Sequence, residues 1–396
     1  MANRGGLWRH RLSMVASVLF VVLLVSSLLF VLHQAHQSDS GAQANRLHSS
    51  KVTGGLNTLF SLHMIDARTG WSLSEQAVLR TTDGGSHWQN VSPPHTKLTQ
   101  DSIADFFSTS LAWIAIPQTN AATTQILHTA DGGQTWQRAT IQAAFPRQIS
   151  FIDSQHGWLL ASWQQPGGAA ETISVLRTAD AGKTWIITSN ALAASTDGPP
   201  PGQLPYGGQK SGIRFLNASI GWVTGTVLAP NLAWLYVTYN GGSTWHQQPL
   251  PMPSGIASAR LSILSPTFFS ATDGILPITF VNTATDGNIA IAIYLTHDGG
   301  STWQSTTPLP GAFSIVDFAD SQHGWATDGS ILYRTSDGGQ HWTQLSTSES
   351  LKNVSQLDFV SDQIGWAISS TASNSSFLLK TVDGGYTWTV ISYMVS

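Results

Sequence analysis

One eight-residue pattern, T-x-D-x-G-x-T-W, returns seven times along this chain, at Thr81–Trp88, Thr129–Trp136, Thr178–Trp185, Thr238–Trp245, Thr296–Trp303, Thr335–Trp342 and Thr381–Trp388. Asn240 replaces the Asp in the fourth copy, and His87 and His341 replace the second Thr in the first and sixth. A second pattern, F-x-D-x-x-x-G-W, precedes each copy. It is complete in Phe151–Trp158 and Phe318–Trp325, and its other copies end at Trp71, Trp113, Trp222, Ile275 and Trp366. Two interleaved motifs in seven copies restrict the fold to an array of equivalent units, none of which buries its apolar face alone.

The residues between the motifs alternate or run apolar over four to eight positions, as in Ser174–Arg177 and Ile289–Tyr294, which is the signature of strands. Each repeat reads strand, Gly-containing turn, strand at the Trp, variable loop, strand, box turn, strand. Successive box Trp residues lie 39 to 60 positions apart, the length that four short strands and their turns need. The predicted architecture is all-β: a seven-bladed β-propeller of four-stranded antiparallel blades over residues 55–396.

The box resembles the Asp-box, or BNR repeat, of sialidases and related propellers. The pairing of both motifs is more similar to the photosystem II stability/assembly factor family, a resemblance that covers the chain from about residue 55. It implies a protein-binding or assembly scaffold on the outer side of a membrane. A glycan-binding or glycoside-hydrolase propeller is the alternative that the sialidase likeness implies.

Turn chemistry accounts for the box residues. A carboxylate accepts from turn N–H groups, Gly permits positive φ, and the Thr hydroxyl holds adjacent backbone. Asp83, Asp131, Asp180, Asn240, Asp298, Asp337 and Asp383 are therefore expected to be structural. Trp88, Trp136, Trp185, Trp245, Trp303, Trp342 and Trp388 are expected to pack between blades. The same holds for the first-turn residues Asp66, Asp153 and Asp320, which Asn217 and Ser108 replace elsewhere.

The enzyme alternatives find little support. The F/Y-R-I-P segment that the sialidase resemblance would lead one to expect is absent, and the chain has three Glu: Glu75, Glu171 and Glu349. Outside the motifs the acids are Asp101, Asp105, Asp197, Asp273, Asp286, Asp317, Asp328, Asp358 and Asp362, each expected as a solvated residue near a turn. With no Cys and 13 His in no ligand spacing, no metal or cofactor is expected.

Four variable loops, Pro117–Gln125, Gln164–Glu171, Asn282–Gly287 and Ser370–Ser376, together with the insertion Ser189–Ser211, are expected to share the face opposite the motif turns. Rigid-scaffold loops are a usual place for recognition. Trp163 and Tyr206 lie near that face and are candidate stacking residues for a peptide or sugar. The residue before each box is Arg80, His128, Arg177, Val237, Leu295, Arg334 and Lys380 in order. Once the ring closes, its basic members are expected to form a continuous partner-binding arc whose neutralisation spares folding. The competing reading is that their stems cover neighbouring strands.

Leu12–Leu32 is an apolar run long enough to cross a bilayer, preceded by Arg4, Arg9 and Arg11. It is expected to be a transmembrane signal-anchor, with residues 1–11 cytoplasmic, 33–54 a flexible stalk and the propeller outside. A cleaved signal with secretion is the alternative. Residues 1–46 hold four Arg and one Asp, so the remainder carries 14 basic and 21 acidic side chains, a formal charge of −7. Nucleic-acid binding, which rests on phosphate neutralisation, is not expected.

Overall fold

The computed structural model describes residues 59–118, 122–163, 170–191, 200–347, 351, 353–370 and 376–396. The expected anchor and stalk lie outside them, as do Asp197, Glu349 and parts of the loops Pro117–Gln125, Gln164–Glu171, Ser189–Ser211 and Ser370–Ser376. Among the described residues there is no α-helix, and so none long and apolar enough to cross a membrane.

Each sequence repeat folds as an antiparallel meander. In repeat 1 the strands are Leu59–Met64, Gly70–Ser74, Val78–Thr81 and His87–Asn90, and in repeat 3 they are Phe145–Phe151, Gly157–Ser162, Ile173–Thr178 and Ile186–Ala191. Repeats 4 and 5 merge into one ten-stranded sheet through a bridge between Thr226 and Ser262, while the other repeats form separate sheets. The arrangement is that of a β-propeller.

The box turn is built the same way in every repeat. In repeat 1 the Thr81 hydroxyl donates to Asp83 Oδ1 at 3.0 Å and accepts from the Gly85 N–H at 3.0 Å. The same Asp oxygen accepts the N–H of His87 at 2.9 Å. Gly84 and Gly85 sit at φ 77° and 96°, where a side chain is strained. Asn240 keeps the geometry, its Oδ1 accepting from the Thr244 N–H and its amide donating to the Thr244 hydroxyl. In the second motif the glycine has a different task. A Cβ on Gly157 would lie 2.6 Å from the Phe151 ring, so the motif Phe packs directly on the backbone of the neighbouring strand.

Apolar clusters fill every junction between successive repeats. Trp113 and Ile126 of repeat 2 pack with Ile149 and Phe151 of repeat 3, and Trp325 of repeat 6 with Phe359 and Trp388 of repeat 7. The last and first repeats meet in the same way, through Trp366, Ile368 and Leu378 against Leu62, Met64 and Trp88. The motif Trp of one repeat stacks on the motif Phe of the next, with ring centroids 3.6 Å apart for Trp113–Phe151 and 3.5 Å for Trp325–Phe359.

The ends of the ring are joined by a device that the sequence analysis does not contain. Its strand phase ends the chain in the outer strand of repeat 7 and leaves closure to residues near Lys51, if to any. Instead the chain continues past Thr389–Ile391, and Met394–Val395 pairs in parallel with His87–Trp88, the outer strand of repeat 1. Ser396 donates to Trp88 O at 2.9 Å and accepts from the Asn90 N–H at 2.8 Å. Two extra residues after a short outer strand suffice to reach the neighbouring edge, whose N–H and C=O groups would otherwise lack partners.

Candidate functional site

A cavity of about 540 Å³ lies at the axis. Its wall is made by the starts of the first strands, with Phe60 and Ser61 from repeat 1, Ser102 and Ile103 from repeat 2, Arg147 and Gln148 from repeat 3, Ser211 from repeat 4 and Ser265 from repeat 5. Antiparallel topology puts these strand starts at the end where the variable loops lie, opposite the motif turns. The cavity lining is hydroxyl- and amide-rich and holds one cation. That cation, Arg147, is paired with the buried carboxylate of Glu171.

Glu171 is the centre of a buried network that sequence reasoning placed in a loop as a bystander. Its other carboxylate oxygen accepts the Lys210 N–H at 3.1 Å, and the Lys210 ammonium donates to the carbonyls of Glu171, Tyr206, Gly207 and Gly208. Burial lowers the Lys210 pKa to about 8, with the Glu171 charge opposing. The network ties the second-to-third-strand loop of repeat 3 to the repeat 3–4 insertion, beside the cavity wall. No spacing in the sequence joins residues 147, 171 and 210, so nothing there announces it.

Trp163 is half-buried, and its indole N–H donates to Ser174 Oγ at 2.8 Å. Tyr206 is half-buried beside Lys210. Neither lines the axial cavity described above.

The residues expected to form a basic arc have a different setting. Each is the direct cross-strand neighbour of the motif Trp: Arg80 of Trp71, His128 of Trp113, Arg177 of Trp158, Arg334 of Trp325 and Lys380 of Trp366. The Arg177 guanidinium lies 5.4 Å from the Trp158 ring and the Lys380 ammonium 4.7 Å from that of Trp366. Arg80 also donates to Thr109 O and Arg334 to Asp362 O, both in the next repeat. His128 is buried, stacks on Trp113 at 4.8 Å, and is pushed towards its neutral form by burial. Head groups as well as stems are therefore engaged between repeats.

A correction concerns Asp105, Asp317 and Asp358, which were expected in solvated loops. They lie on first strands, each immediately before the motif Phe. Their carboxylates accept the N–H groups of Phe151, Phe359 and Met64 in the next repeat at 2.6, 2.6 and 2.5 Å. Gln148 and Gln356 do likewise for Ile213 and Leu62. The innermost strand of each repeat has a free edge, and these side chains satisfy it. A D-F pair in three repeats was the available signal.

Among the described residues no group of three or more His, Asp or Glu is placed to hold a metal ion.

No protein-family model matches the chain. It is 23% identical over 315 residues to the photosystem II stability/assembly factor HCF136 of Arabidopsis thaliana, covering 75% of this chain and 69% of that protein. A solved structure described as YCF48 bound to D1 peptide superposes with a TM-score of 0.53 at 17% identity, covering 83% of this chain and 93% of that one. A GH74 xyloglucanase from Xanthomonas campestris superposes with a TM-score of 0.57 at 14% identity, covering 86% of this chain and 55% of the enzyme. At these identities the structural likenesses establish the propeller fold.

Proposed function

We propose that the chain is a seven-bladed propeller that binds a protein partner at the loop-face end of its axis and serves as an assembly scaffold, held at the outer face of a membrane by Leu12–Leu32. The blade count rests on seven sequence repeats, the meander each of them forms, and the contact of repeat 7 with repeat 1. The binding site rests on one observation: the 540 Å³ axial cavity, with hydroxyls and amides from five repeats and its one cation already paired. Such a wall suits the backbone of an extended peptide, which offers N–H and C=O groups and no net charge. The likeness to HCF136, and the peptide in the YCF48 structure, favour a protein over a glycan.

Peptides selected from a display library against the full-length protein test this reading. Gln100→Trp and Ser61→Trp, which fill the mouth, are expected to abolish their binding without altering the melting temperature. Unchanged binding in both would rule the cavity out.

A second reading, a glycoside hydrolase, is favoured by one feature: Asp317, buried beside Asp358, has its pKa raised to about 7, in the range of a general acid. Against it, Asp317, Asp358 and Asp105 are each engaged with a backbone amide of the next repeat. Turnover of a glycan, lost in Asp317→Asn, would favour this reading.

A further inference from the structure

Round the axis, the residue before the motif Phe reads, from repeat 6 onward, Asp317, Asp358, His63 (before Met64 in repeat 1), Asp105, Ser150, Arg214 and Thr267. Titratable groups therefore crowd the junctions of repeats 6, 7, 1 and 2, and are replaced by Ser and Thr in repeats 3 and 5. Asp317 faces Asp358 and His63. His63 faces Asp358, Asp105 and Asp317, and Asp105 faces His63 and Arg214. The His63 Nδ1 lies 3.7 Å from Asp358 Oδ1, and half of its side-chain surface (50%) is open to solvent, so protons can enter and leave.

Asp317 and Asp358 are fixed next to one another by the amides they hold, Phe359 and Met64. If both ionise, two like charges stand side by side in a poorly solvated place. We propose that Asp317, Asp358 and His63 form a protonation-dependent latch on the junctions joining repeats 6, 7 and 1, tight while it keeps a proton and loosened when that proton is lost to solvent.

The signs of the shifts at Asp317 and His63 agree with this. Burial, then the charge of Asp358, raises Asp317 to about 7. Partial desolvation of the ring works against charge on His63, but the nearby carboxylate of Asp358 outweighs it and raises its pKa. A group raised in the folded state stabilises fully below its unfolded pKa and loses that contribution as pH rises through the folded one. For Asp317 the window runs from 3.8 to about 7, and His63 extends it upward from 6.5. The box aspartates have lowered pKa values and act below 3.8, outside this window.

Three amides make the test internal. Phe359 and Met64 donate to Asp317 and Asp358, whereas Ile213 donates to the amide oxygen of Gln148, which does not titrate. Residue-resolved hydrogen exchange on the full-length chain, corrected for intrinsic rates, is compared at pH 5 and pH 7.5. Protection at Phe359 and Met64 is expected to fall about tenfold or more relative to Ile213, as one proton lost per molecule gives tenfold per pH unit within the window. In Asp317→Asn, which keeps the acceptor oxygen, the pH dependence at Phe359 is expected to vanish. Equal pH dependence at all three amides in the wild-type protein would overturn the latch even if the variant does not fold, and so would a folded variant that keeps the wild-type pH dependence at Phe359.

Discussion

At the junction of repeats 4 and 5 the sheet is continuous, with Thr226 bridged to Ser262, whereas repeats 7 and 1 are joined by side chains and a two-residue strand. The motif residues differ accordingly. Where the ring closes, Trp366 donates to Gly84 O across 282 positions of sequence, with Lys380 over its ring. At the continuous junction the cross-strand partner of Trp222 is Val237. There the Trp222 N–H reaches only the side chain of Gln248, whose amide passes the contact on to Gly300 O. The Trp-and-cation pair is thus a clamp between separate sheets that the bridged junction lacks; the junction of repeats 5 and 6 also lacks it, and there Ile275 and Leu295 pack on Phe318 instead.

Removing the clamp at closure should do most harm. Trp366 is fully buried, and Trp366→Ala is expected to cost roughly 3–5 kcal/mol in urea unfolding. Ile275→Val, at the same motif position in repeat 5, is expected to cost about 0.5–1.5 kcal/mol. Equal losses would remove the distinction between the junctions.

Gln248→Leu sharpens the comparison from the other side. It leaves the Trp222 N–H and Gly300 O without partners in a buried place, at a cost of roughly 1–3 kcal/mol. Trp303, whose ring N–H already has no partner, should respond in its fluorescence before the global transition.

Lys380→Met keeps most of the stem and removes the charge over Trp366. About 0.5–1 kcal/mol should be lost, while Leu295→Met, with no charge to lose, should be close to neutral in the same unfolding assay.

Acid should act alike on the six boxes that carry an aspartate. Hydrogen bonds from the His87 N–H and side chain and from Thr81 outweigh burial and hold Asp83 at about 2, and those from Thr135 do the same for Asp131. A lowered folded pKa gives stability present above the unfolded value and lost as pH falls through the folded one. Hydrogen exchange at the six aspartate boxes should therefore rise together as pH falls below about 4, and the Asn240 box should not respond. Earlier opening at one junction would show that the boxes are not equivalent.

The repeat made most of this fold legible, because Thr, Asp, Gly and Trp at fixed offsets serve local turns whose partners are two to four residues away. Asn240 could be read as an equivalent of Asp for the same reason. What was not legible depends on partners set by the ring. Asp317 looks like any Asp near a turn until the neighbouring first strand is placed beside it. Arg80 and Lys380 looked like a surface arc because their position before the box was visible and the Trp opposite them was not recognised as their partner. Glu171 comes from an irregular loop and Lys210 from the start of a strand, Gln209–Phe215, with no spacing that joins them. The closing strand, Met394–Val395, is too short to carry a pattern.

The measurement closest to the central proposal is site-specific photocrosslinking of a selected peptide to the full-length protein. A crosslinker at Gln100, on the rim of the axial cavity, is compared with one at Gln340, exposed in the box turn of repeat 6 on the opposite face. The account predicts capture from position 100 and none from position 340. Capture from 340 alone would place recognition on the turn face and contradict it.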